Sequence, residues 1–228
     1  MIACLYDVHG NLPALEAVLA DARAAGAGVY ALGGDYALFG GWPAETVSRL
    51  RELAGATWIR GNGERWTAEP HQAPDDETVQ GAIAACRTAL GAEVVAELAA
   101  LGERAAQADA LLVHGSPVSD VRSFAPEPGT DDEELLGGEA PEQLIFGHTH
   151  LPFTRTLGGT ELVNPGSVGM PFDGDPRAAY ALLHDDGAVE HRRVAYDHAA
   201  AAARVREAFG AAPWTAVVAR RITEAQVA

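Results

Sequence analysis

At 228 residues, 48% of them hydrophobic, the chain can bury a full core without disulfides or a structural metal. Sixteen basic against thirty-two acidic residues give a formal charge of −16, which argues against tracking long nucleic acid backbones through bulk electrostatics. If the chain handles phosphates, bound cations rather than overall charge must draw them in.

Cys4 and Cys86 make no disulfide framework, and Cys4 reads as a small buried thiol in an apolar run. No apolar run approaches the ~20 residues of a membrane span, and no basic segment precedes Asp7, so a soluble, cytoplasmic protein is expected.

Ile2 to Tyr6 reads as a buried strand that delivers Asp7-Val8-His9-Gly10-Asn11 onto a tight turn. Asn11 caps a helix whose Leu12, Leu15, Val18, Leu19 and Ala22 recur at helical spacing. Val29 to Leu32 is a second strand closed by Gly33-Gly34-Asp35, and Pro43 opens a second helix. Thr57 to Ile59 is a third strand, closed by Arg60-Gly61-Asn62. Strands separated by helices of this length argue βαβ units and a parallel sheet.

Residues 66–108 read as a helical insertion, with Asp75-Asp76-Glu77 starting one helix and another around Glu93 to Leu101. Ala110 to Val113 is a strand ending at His114. Residues 117–143 are acidic and rich in Pro and Gly, a solvated loop region with a short helix. Leu144 to Phe146 leads into Gly147-His148-Thr149-His150. Beyond it, Leu157-Gly158-Gly159-Thr160 and Asp185-Asp186-Gly187 signal two hairpins, so this part reads as antiparallel. Residues 198–228 read as alanine-rich closing helices. The economical architecture is one α/β domain over 1–228, with two mixed sheets faced by helices.

Ligand-type residues recur just after the apolar strands: Asp7 and His9, Asp35, Asn62, His114, then His148 and His150. In an open α/β sheet the ligand crevice lies at the carboxyl ends of the strands, so these seven should converge. A carboxylate beside an imidazole, as at Asp7 and His9, suits a first-row metal, although an Asp in such a turn also suits a helix cap. Seven such positions, mostly beside glycine, favour a shared metal site over scattered caps.

The series Asp7-Val8-His9-Gly10-Asn11, Gly33-Gly34-Asp35, Gly61-Asn62, His114-Gly115 and Gly147-His148-Thr149-His150 resembles the calcineurin-like metallophosphoesterase motifs, in order. Asn164-Pro165-Gly166-Ser167-Val168-Gly169, with Gly174-Asp175-Pro176-Arg177 after it, resembles the small prokaryotic branch that includes YfcE-like phosphodiesterases and some diadenosine polyphosphate hydrolases. The resemblance implies a four-layer αββα sandwich and two divalent transition-metal ions, Mn²⁺ first, with Fe, Zn or Ni as alternatives. It implies Asp7, His9 and His150 at one metal, Asn62, His114 and His148 at the other, and Asp35 bridging both. Asp35, Asn62 and His114 would then be central to catalysis. A metal-bridging hydroxide would attack a phosphodiester or phosphoanhydride of a small, nucleotide-like substrate.

One departure stands out. Many relatives read Gly-Asn-His-Asp where this chain reads Gly61-Asn62-Gly63-Glu64, and that histidine serves the leaving oxygen. Glu64 reads as a surface turn carboxylate, with action in place of that histidine through a water as the alternative. Asn11, Arg60 and Arg177 are candidate substrate contacts, since an Arg fork matches phosphate oxygens. The competing readings are a non-catalytic metal-binding scaffold on the same fold and a phosphomonoesterase. No stable nucleic acid partner and no membrane partner is expected, and the oligomeric state is left open.

Overall fold

A computed structural model describes residues 1–227. Strands β1 (Ile2–Leu5), β2 (Val29–Leu32) and β3 (Thr57–Trp58) run parallel, with β9 (Ala178–Leu183) antiparallel to β1 and β10 (Val189–Val194) outside it. The first sheet is therefore ordered β10-β9-β1-β2-β3. The second is ordered β4-β5-β6-β8-β7, where β4 is Arg104–Gln107, β5 Ala110–Val113, β6 Gln143–Ile145, β7 Phe153–Leu157 and β8 Thr160–Asn164. Both sheets are mixed, as expected. The strand β8 joins β6 in parallel, so the C-terminal half is not purely antiparallel.

The period of two along each strand builds three separate cores. Ala3 and Leu5 face the helices, whereas Cys4 and Tyr6 face the second sheet, where they meet Ile59, Leu112, Ile145 and Val163. On the far face of that sheet Val113, Leu144, Phe146 and Leu162 pack beneath Phe124 and Leu135. The hydroxyl of Tyr6 crosses the gap between sheets and donates to the Ile145 carbonyl at 3.0 Å. A buried phenol needs such a partner.

The outer helical layers are unequal. Helices α1 (Leu12–Ala24), α2 (Pro43–Arg51), α4 (Glu77–Ala99), α6 (His198–Phe209) and α7 (Pro213–Glu224) all contribute to the core on the first sheet. The second sheet is covered by α5 (Asp132–Leu136) and its flanking loop. α4 is broken at Gly91, whose φ of 75° separates the two helices expected from sequence. The insertion also ends differently: residues 104–107 form β4, an edge strand whose Arg104 and Gln107 give no apolar alternation to read.

Cys4 and Cys86 are both buried, and burial pushes each thiol up to about 12 from an ordinary value of 9. The folded chain should therefore resist a thiol-specific disulfide reagent at pH 8 and yield two thiols in guanidinium. Because the folded values are the higher ones, this stabilisation is intact below pH 9 and is lost as pH rises toward 12. Rapid native labelling of both thiols would contradict the burial.

Candidate metal centre

The carboxyl ends of β1, β2, β3, β5 and β6 share one rim, and the loops there are laced together by backbone bonds. Asp7 N–H donates to Gly34 O at 3.2 Å, His9 N–H to Asp35 O at 2.9 Å, and Gly10 N–H to Tyr36 O at 2.8 Å. Five of the seven ligand-type residues lie in the left-handed region: Asp7 (φ 55°), His9 (48°), Asp35 (56°), His148 (69°) and His150 (60°). Such conformations are unfavourable for residues with a Cβ and concentrate at functional sites. Two glycines permit close approach to the carboxylates: a Cβ at Gly61 would stand 2.3 Å from Asp35 Oδ1, and one at Gly147 2.5 Å from Asp7 Oδ2. In return His148 N–H donates to Asp7 Oδ2 at 3.0 Å.

The imidazoles are aimed by main-chain carbonyls. His9 Nδ1 lies 3.0 Å from Leu38 O, His114 Nδ1 2.8 Å from Gly33 O, and His150 Nδ1 2.5 Å from Met170 O. A carbonyl only accepts, so each Nδ1 carries the proton and each Nε2 presents a lone pair inward. His9 and His150 bring their Nε2 atoms within 3.1 Å of each other. Asp7 Oδ1 sits among these nitrogens, 3.9 Å from His9, 3.8 Å from His114 and 3.5 Å from His150. That oxygen is buried and has no hydrogen-bond donor among the described residues. The two oxygens of Asp35 divide, Oδ2 3.8 Å from His9 Nε2 and Oδ1 3.5 Å from His114 Nε2.

Asn62 opens α3 (Asn62–Ala68) and points its amide at the remaining pair, 3.0 Å from His114 Nε2 and 2.8 Å from His148 Nδ1. The amide nitrogen faces both rings and donates to them and to the Asp120 carbonyl at 3.1 Å. The seven residues singled out by sequence thus form one cluster. Its Asp7-His9-His150 and Asp7-Asp35-His114 subsets each hold ligand atoms within 4.8 Å of one another. Converging imidazole nitrogens and an orphaned buried carboxylate oxygen are what a divalent cation satisfies.

The electrostatics express the same crowding. Burial raises Asp35 to about 7, with Glu64 and Asp7 adding to the shift and His114 opposing it. Burial lowers His9 to about 3 and His148 to about 4, helped by neighbouring imidazoles. Burial works against ionised Asp7, but His150, His114 and His9 together hold its carboxyl below the usual range. His114 is raised despite burial because Asp35 and Asp7 face it.

Glu64 corrects the sequence reading. It is not a surface turn residue: it is buried, and it accepts Asp35 N–H at 2.8 Å, Tyr36 N–H at 2.8 Å and Gly61 N–H at 2.9 Å. The signal was present in the spacing, an acid at the third helical position reaching back to the residue before the helix, as in a capping box. Beside it, Gly63 N–H donates to Asp35 Oδ1 at 2.6 Å, and a Cβ at Gly63 would meet that oxygen at 2.8 Å. Two phenylalanines, which sequence did not single out, back the imidazoles. The Phe172 ring stacks on His150 at 4.4 Å, and that of Phe39 lies 5.5 Å from His9.

The three candidate substrate contacts lie elsewhere in the hydrogen-bond network. Asn11 is buried; it caps α1 through Ala14 N–H and donates to Gly169 O and Tyr196 Oη. Arg60 turns to Ala99 O and Glu103, and Arg177 to Asp175. None of them bonds to a ligand atom of the cluster.

The model of the calcineurin-like phosphoesterase superfamily domain matches residues 1–187. The chain belongs to that superfamily. Phosphodiesterase YfcE of Escherichia coli K12 is 31% identical over 191 residues, covering 79% of this chain and 85% of its own length. A Methanocaldococcus jannaschii protein, MJ0912, is 30% identical over 221 residues, 86% and 88% of the two chains. The crystal structure of a metallophosphoesterase from Sphaerobacter thermophilus superposes with a TM-score of 0.82 at 29% identity, over 98% of each chain. The architecture is thus the calcineurin-like phosphoesterase fold, two mixed five-stranded sheets between helical layers.

Proposed function

We propose that the chain is a dinuclear metal-dependent phosphohydrolase that cleaves a phosphodiester or phosphoanhydride of a small, nucleotide-like substrate. Asp7, His9 and His150 would hold one divalent ion and Asn62, His114 and His148 the other, with Asp35 as the ligand available to both. Asp7 Oδ1 carries this reading: a buried carboxylate oxygen ringed by three imidazole nitrogens and lacking a donor. The mixed oxygen and nitrogen set suits Mn²⁺ first, then Fe, Zn or Ni. The bound pair supplies charge for the phosphoryl oxygens and acidity for the attacking water.

The protein's share is placement. Leu38, Gly33 and Met170 carbonyls fix the imidazole tautomers, and Glu64 locks the Asp35 loop to the Asn62 loop. Gly63 offers no proton, and Glu64 is committed to three amides, so α3 supplies no acid for the leaving group. This favours leaving groups that depart as stable anions, such as phosphoanhydride or aryl oxygens, over simple alcohols. The name of the E. coli relative, a phosphodiesterase, supports the diester alternative. The acidic surface favours a small substrate over a nucleic acid polymer. Among the described residues no helix is long and apolar enough to cross a membrane, and we place the chain in the cytoplasm.

Stripping with EDTA should abolish hydrolysis of bis-p-nitrophenyl phosphate, and Mn²⁺ should restore it. Full metal occupancy with no turnover of any diester, monoester or dinucleotide would leave the scaffold reading in its place.

A further inference from the structure

A cavity of about 270 Å³ opens beside the second half of the cluster, with His114 in its wall. Its other walls come from the loop that follows β5, including Ser116, Pro117 and Val118, and from Arg65 and Arg104. The loop is tied to the site: Arg65, next to Glu64, grips the Asp120 carboxylate through two bonds of 2.7 Å, and the Asp120 carbonyl lies against the Asn62 amide. We propose that this cavity is the subsite for the non-reacting arm of the substrate, and that Arg104 there reads a second phosphate carried on that arm. The proposal rests on the phosphohydrolase reading for its reacting centre and adds to it a selectivity.

Two independent observations carry it. The first is the supply of unspent donors in a chain of net charge −16. Arg104 gives Glu139 one N–H and the Pro117 carbonyl another, leaving three of its five donors free. Glu139 lies outside the cavity wall, and the pair is exposed on both sides, 51% and 40%. An ion pair of that kind is worth little and yields readily to a ligand. The acids in the wall are already matched, Glu103 facing Arg60 and Asp120 facing Arg65, so they do not cancel Arg104. A guanidinium fork fits phosphate oxygens in pairs.

The second observation is apolar. Four large hydrophobic side chains are exposed among the described residues, and two, Val118 and Val121, sit on this one loop. Val118 stands with Pro117 in the cavity wall, an apolar ledge suited to the organic part of an arm, and Val121 follows on the same loop outside the wall. The volume falls below that of a site for a drug-sized ligand, so it takes one sugar-phosphate fragment rather than a whole dinucleotide.

The test compares two esters with the same reacting phosphorus: the p-nitrophenyl ester of thymidine 5′-phosphate, and the same ester carrying a 3′-phosphate. With Mn²⁺ the protein should prefer the second in kcat/KM. Arg104→Gln should reduce that preference about tenfold, mainly through KM, and Glu139→Gln, which frees Arg104, should increase it. Binding of thymidine 3′,5′-bisphosphate to the Mn²⁺-loaded protein, followed by calorimetry, should weaken about tenfold in Arg104→Gln. An unchanged preference and unchanged binding in both variants would overturn the subsite. Turnover of neither ester, with bisphosphate binding still dependent on Arg104, would overturn the phosphohydrolase reading while leaving the anion site standing.

Discussion

Replacing Glu64 with alanine should lower the unfolding free energy by about 3–6 kcal/mol, because three buried N–H groups lose their acceptor at about 1–2 kcal/mol each. The carboxylate joins Asp35, Tyr36 and Gly61, so the loss falls on the two loops that hold the proposed bridging carboxylate and the Asn62 amide. Metal affinity should fall with it. Glu64→Gln separates the contributions. Its carbonyl can keep the position that serves Asp35 and Gly61, while its amino group confronts only the Tyr36 N–H. That variant should therefore cost about a third as much. Denaturant unfolding of the metal-free protein would check the series; a loss below ~1 kcal/mol for Glu64→Ala would show that the amides find other acceptors.

Asp35→Asn should act in opposite directions on fold and function. In the metal-free protein this carboxyl is buried near two others, Asp7 and Glu64, and its pKa is raised to about 7. A raised folded value means that stability is intact below the ordinary carboxyl value of 3.8 and is lost as pH climbs through 7. At pH 8 the ionised group burdens the fold, so the asparagine variant should be more stable by about 1–4 kcal/mol without metal. That advantage should shrink below pH 7 and vanish near pH 4. The same change should remove the rise in melting temperature on adding Mn²⁺ and reduce turnover by at least about a thousandfold. Equal melting temperatures at pH 8 and pH 5, relative to the parent chain, would contradict the charge argument.

The positions of the cluster were legible because strand and ligand alternate along the chain. Each ligand follows a run such as Ile2–Tyr6 or Ala110–Val113, and strand ends of one rim must meet. The mixed sheets followed from the same runs and from the hairpin turns at Gly158-Gly159 and Asp186-Gly187. Glu64 was misread because a charged residue two places after a turn usually faces water; its spacing announces the Gly61 amide alone, and the Asp35 and Tyr36 amides arrive from a distant loop. β4 was missed because an edge strand needs no apolar face. The arginines were judged by their chemistry alone: Arg60 faces Glu103, brought close by folding, and Arg177 faces Asp175, two residues before it, whereas Arg104, on the unread strand, lines the cavity.

The left-handed conformations of Asp7, His9, Asp35, His148 and His150 set ligand and backbone against each other when these positions are substituted. Each costs of order 1 kcal/mol or more for a residue with a Cβ, and glycine would relieve it. A glycine at any of the five would therefore remove a ligand and relax the backbone at the same time, whereas a β-branched residue there would remove the ligand and add strain.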